Sequence, residues 1–202
     1  MMQKKNKKVK VAVFASGNGS NAENLIQYFR NHEHIAIALI VSNNSEAYVL
    51  KRAQNNKIPH VVIPKVLWKD KDFTYGVLQK YDIDFIVLAG FLLLLPDWLV
   101  KKYDQRIINI HPSLLPAYGG KGMYGQNVHR AVIAAGEKKS GITIQYINAE
   151  YDKGDIIFQQ GCPVSGDDTP ESLEEKIHEL EHKHFPVITE KVIREVFQLP
   201  KT

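Results

Sequence analysis

The 202-residue sequence has a single cysteine, Cys162. No internal disulfide can form, and the composition fits a reducing compartment. Nothing beside Cys162 marks it as an activated thiol, so a small apolar residue near a strand accounts for it. Long hydrophobic runs are also missing. The longest, Phe85 to Leu95, is closed by Pro96 and Asp97, well short of the roughly 20 residues a membrane span needs. The apolar run "VAVFA" reaches Ser16 and a glycine loop too soon for a signal peptide. These absences predict a soluble, cytoplasmic protein with no membrane partner. Repeats, low-complexity tracts and linkers are lacking too, which predicts one domain over 1–202.

The chain has little excess charge outside one short stretch. Its 26 Lys and Arg face 22 Asp and Glu, but "MMQKKNKKVK" holds five of the lysines and no acid. Beyond it 21 basic residues face 22 acidic ones. The pI near 9 therefore reports a basic tail at 1–8, and no nucleic-acid partner is predicted.

What is present is an alternation of strand and helix patterns. Apolar runs at 9–15, 35–42, 60–63, 83–90 and 106–110 alternate with helical patterns at 21–31, 45–56 and 71–81, with Ser45 as the cap of the second. Continuous apolar strands separated by helices predict an α/β, Rossmann-like fold, its mostly parallel central sheet covered by helices on both faces. After residue 111 a Gly-rich loop precedes a helix at 127–136. Two strands, "GITIQYIN" and "DIIFQQGCPV", follow, joined by "AEYDKG". A long helix runs from Thr169 as cap and Pro170 at its first position, and Pro186 is expected to kink or break it.

Ligands of open parallel sheets sit beyond the carboxyl ends of the strands. The first such place is "SGNGSN", where Gly17, Gly19 and Ala22 fit a dinucleotide fingerprint. The acidic residue that fingerprint needs at the end of strand two is absent; the place reads "VSNNS". Free amides at a helix start, with donors from Ser20 and Asn21, suit one phosphate monoester better. A plain strand-to-helix turn capped by Ser20 or Asn21 fits the same letters.

The second place is "NIHPSLLP". Residues i and i+2 of a strand share a face, so Asn109 and His111 stand side by side, and Pro112 biases His111 to an extended backbone. An amide can meet a developing oxyanion and an imidazole can move a proton at neutral pH. The pair suits acyl or formyl transfer to a substrate amine, since Ser113 lacks the nucleophile-elbow pattern. A structural Asn and a satisfied core His fit equally well. Asp152 in "YDKGD" is a carboxylate that can orient the imidazole, although Asp-x-Gly is also ordinary turn chemistry. "HELEH" (178–182) matches the H-E-x-x-H zinc motif, but it lies in a charge-rich helix without the motif's extension. A solvated face is expected for His178 and Glu179, and no metal is predicted.

"SGNGSN", "VLAGF", "INIHPSLLP" and "YDKG" together resemble the phosphoribosylglycinamide formyltransferases, over about residues 9–190. The resemblance implies direct formyl transfer from 10-formyltetrahydrofolate, as co-substrate, to the amine of glycinamide ribonucleotide in purine synthesis. It implies that Gly19, Ser20 and Asn21 hold the phosphate region and that Glu181 contacts the ribonucleotide. Asn109 would stabilise the oxyanion and touch the donor, with His111 as acid/base and Asp152 favouring its charged form. Leu92, Leu93, Leu94 and Leu95 would line the folate pocket. Two positions depart from the family pattern: some members carry arginine at the place of Leu93, and many carry histidine at that of Gln145. "GGKGMYGQNVH" suggests a lid. A monomer or homodimer is expected. Formyltetrahydrofolate hydrolase and other folate-dependent amine formyltransferases are the nearest alternatives; a phosphosugar sensor is the non-catalytic one.

Overall fold

The computed structural model describes residues 7–148, 150 and 152–200. Most of the basic tail, and Ala149 and Tyr151 of "AEYDKG", lie outside them. Seven strands form one sheet in the order β3-β2-β1-β4-β5-β6-β7. β1 (Val9–Phe14), β2 (Ile35–Ser42), β3 (His60–Val62), β4 (Phe85–Leu88) and β5 (Ile107–His111) are mutually parallel. β6 (Lys139–Tyr146) and β7 (Ile156–Pro163) complete it as antiparallel neighbours.

The period of two in each strand feeds two cores. Val11, Val13, Phe85 and Val87 pack with α1 (Ser20–Phe29), α2 (Tyr48–Asn55), α5 (Gln126–Ala134) and α6 (Pro170–Phe197). Ala12, Phe14, Ile86 and Leu88 point the other way, into a core closed by α3 (Lys71–Lys80), α4 (Asp97–Lys102) and Trp68. Burial on both faces is why these strands read as unbroken apolar runs. β1 lies between β2 and β4, so the chain reverses direction across the sheet there, and a crevice opens beyond the carboxyl ends of β1 and β4.

Three local expectations change. Ser45 caps nothing: α2 starts at Tyr48 after Ala47, with no side-chain cap. Asn44 takes the chain into a turn instead, its side chain accepting from Glu46 N at 3.0 Å and its carbonyl from Ala47 N at 3.2 Å. Neither Ser20 nor Asn21 caps α1, because the capping position is Gly19. Finally, α6 runs unbroken for 28 residues through Pro186. A proline has no N–H for the carbonyl four residues back, here that of His182. Asn24 Nδ2 of α1 donates to that carbonyl at 2.8 Å, so the helix continues with its freed acceptor satisfied from a neighbour. Thr169 does cap α6, in a reciprocal pair with Ser172.

Candidate active site

One cleft of about 550 Å³ lies at the carboxyl ends of β1, β4 and β5. Its first wall is the loop after β1. Gly19 there has φ +75°, and a Cβ on it would sit 2.4 Å from Val49 Cγ2, so only glycine allows the turn. The first amides of α1 open toward the cleft with no side chain capping them. They carry the partial positive charge of a helix start. One N–H of the Asn21 side chain is already engaged: its Nδ2 donates to Glu181 of α6 at 2.8 Å. Both side chains are buried, and Asn21 Oδ1 has no partner. Burial pushes the Glu181 carboxyl up, against the Asn21 hydrogen bond that pulls it down.

The second wall is the turn after β4. Ser16 ties it to the first loop: its N–H donates to Gly90 O at 3.0 Å, and its Oγ accepts from Leu92 N at 2.9 Å while donating to Asn43 at 2.5 Å. Asn43 thus occupies the strand-two position where a dinucleotide site needs its acid. Leu92 and Leu94 are 43% and 42% exposed, whereas Leu95 is buried and Leu93 packs against the second core. Leu94 O accepts from Trp68 Nε1 at 3.0 Å. Leu92 N and Leu94 O, at the place where the resemblance puts the folate pocket, are therefore engaged within the chain.

The third wall is the end of β5. Asn109 and His111 lie on one face, opposite Gln145 and Thr143 of β6. His111 is 4% exposed. Its Nε2 faces Tyr118 O at 2.9 Å and its Nδ1 faces Asp152 Oδ1 at 3.6 Å. Both ring nitrogens thus look at acceptors. Asp152 is held from two sides, accepting from Gly120 N at 2.8 Å and Gln145 Nε2 at 3.2 Å. The segment after the proline is pinned to the sheet. Thr143 Oγ1 donates to Ser113 O at 2.6 Å and accepts from Leu115 N and Gln159 Nε2. Ser113 Oγ donates to Ala117 O at 2.6 Å and serves the turn.

All the residues named from the sequence for phosphate, folate and proton transfer line this one cleft. Sequence reading missed others. His178, taken for a solvated face, lines the cleft too, although its side chain is 44% exposed. Its neighbour His129 of α5 is buried beside it with Nδ1 unpartnered, and burial lowers its pKa. His129 follows Val128 in an apolar helix face and offers no motif; Glu174, also in the cleft, is one acid among many in α6. In "HELEH" the residue that turns inward is Glu181, and His178 and His182 stack with ring centres 6.2 Å apart. Among the described residues no group of three His, Cys, Asp or Glu is placed to hold a metal ion.

Comparisons with known proteins show the family to which this fold belongs. The family pattern described as formyl transferase matches residues 9–189. The chloroplastic phosphoribosylglycinamide formyltransferase of Vigna unguiculata is 39% identical over 191 residues, covering 92% of this chain and 61% of that protein. The chain thus spans about three fifths of the length of that relative. The phosphoribosylglycinamide formyltransferase of Bacillus subtilis (strain 168) is 37% identical over 189 residues, covering 91% of this chain and 94% of that one. A crystal structure of phosphoribosylglycinamide formyltransferase from Anaplasma phagocytophilum superposes with a TM-score of 0.83 at 38% identity. It covers 95% of this chain and 88% of its own. With the match running through all seven strands and into the last helix, the chain belongs to the formyl transferase family.

Proposed function

We propose that the protein transfers a formyl group from 10-formyltetrahydrofolate to the amine of 5-phosphoribosylglycinamide, a step of purine synthesis. The observation that carries the reading is the triple Asn109, His111 and Asp152 in the cleft that also holds an uncapped helix start and an apolar loop. The phosphate would meet the amides of Gly19, Ser20 and Asn21, with Glu181 on the ribose side. The folate would lie against Leu92 to Leu95. The amine nitrogen attacks the formyl carbon, and the carbonyl oxygen becomes an oxyanion facing the Asn109 amide. The amine gives up its proton, the bond from carbon to N10 of the folate breaks, and N10 takes a proton. His111 is the group placed to carry that proton, with Asp152 beside its Nδ1 to stabilise a charged ring. A substrate group that uses His111 Nε2 replaces its contact with Tyr118 O. The cytoplasmic setting belongs to the same proposal. It rests on the single cysteine; no helix of the described residues is long and apolar enough to cross a membrane.

The test is loss of the formyl group from 10-formyltetrahydrofolate with and without glycinamide ribonucleotide. Loss only with the ribonucleotide, matched by formylated product, is expected. Loss without it would make the protein a hydrolase of the formyl donor. Folate binding with no loss in either tube would make it a sensor or assign it another amine.

A further inference from the structure

Gln145 lies one residue before the end of β6 with 0% of its surface exposed. Its Nε2 donates to Asp152 Oδ1 at 3.2 Å, and that same oxygen faces His111 Nδ1 at 3.6 Å. The amide cannot be turned round, because its carbonyl oxygen would then meet a carboxylate. In the orientation that serves Asp152, Gln145 Oε1 is left buried without a partner. A buried acceptor with no donor lowers stability, and an apolar side chain of the same shape avoids that loss. The register places Gln145 directly opposite Asn109. Asp152 itself needs restraint: it holds a left-handed backbone at φ +53°, which a non-glycine residue seldom adopts. Its other oxygen is tied to Gly120, in a glycine-rich loop.

We infer that Gln145 is a positioning residue for the transfer step: it fixes Asp152 Oδ1 in front of His111, at the expense of a buried unpaired carbonyl. It touches neither substrate and acts through the carboxylate. The inference rests on the proposed formyl transfer.

The test compares Gln145→Met, which keeps the bulk and loses the donor, with Gln145→His, which returns an N–H donor. It adds Asp152→Asn alone and combined with Gln145→Met. The wild type is assayed first; failure of that assay overturns the transferase reading, and only a working wild type tests Gln145. Gln145→Met is expected to lose about 10- to 100-fold in kcat through misplacement of the carboxylate. The KM for the ribonucleotide should stay within about twofold and Tm should be unchanged or higher. Gln145→His should recover most of the loss. In the Asp152→Asn background Gln145→Met should cost nothing further. Unchanged kcat in Gln145→Met, or a full further loss beside Asp152→Asn, overturns the inference. A loss of kcat accompanied by a fall in Tm that Gln145→His does not repair makes Gln145 structural and overturns it too.

Discussion

At the residue scale, Asn21, His111 and Asp152 each meet a partner from another element or loop. His111→Ala and Asp152→Asn are each expected to cut turnover at least about 100-fold while leaving ribonucleotide binding nearly intact, measured by calorimetry. Retained turnover in either variant would remove that residue from the mechanism. Asn21→Ala should weaken ribonucleotide binding more than folate binding, because it frees Glu181 and disturbs the helix start. Equal effects on both ligands would argue against a phosphate site at 19–21. Glu181 illustrates a trade between binding and stability. Its carboxyl is raised by burial, so the folded state favours the protonated form. The stability tied to that proton is present at low pH and is lost as pH rises through the raised value. Glu181→Gln should therefore raise Tm at pH 7 and weaken the ribonucleotide.

At the element scale the long terminal helix shows how a local rule yields to its surroundings. Pro186 removes one hydrogen bond, and Asn24 supplies the replacement. Asn24→Ala is expected to lower stability by about 1 kcal/mol, and the loss should vanish when Pro186→Ala restores the helical N–H. A loss that persists in the double variant would show that Asn24 acts through some other contact. The pinned turn 113–117 shows the same dependence. "HPSLLP" announces an extended histidine, but the turn that follows is anchored by Thr143 on β6 and secured by Gln159 from β7. The cap of α6 was legible, since Thr169, Pro170 and Ser172 are neighbours in the chain. The cap expected at Ser45 failed because Asn44, one residue earlier, offered a stronger turn.

At the scale of the whole molecule, the first and last helices are joined by a polar cluster far from the cleft's chemistry. Glu190 of α6 receives Tyr28, His32 and Arg194 at 2.6, 3.1 and 2.6 Å. Burial pushes its carboxyl up, but these donors outweigh it and hold it at about 2. A depressed carboxylate contributes stability above its usual value near 4.5, and the contribution is lost as pH falls toward 2. Glu190→Gln should flatten the acid limb of the stability curve in that window, followed by denaturant midpoints. An unchanged slope there would mean the cluster adds nothing to stability. Apolar periodicity determined the sheet and its two covered faces, because strands buried on both sides must be apolar throughout. Short spacing determined the pairing of Asn109 with His111, because a strand presents alternate residues on one face. The meeting of Asp152 with His111, of Glu181 with Asn21 and of Gln145 with Asp152 was decided only in three dimensions. Each of these contacts joins separate elements, and only the packing of the sheet and its last helix sets their distance.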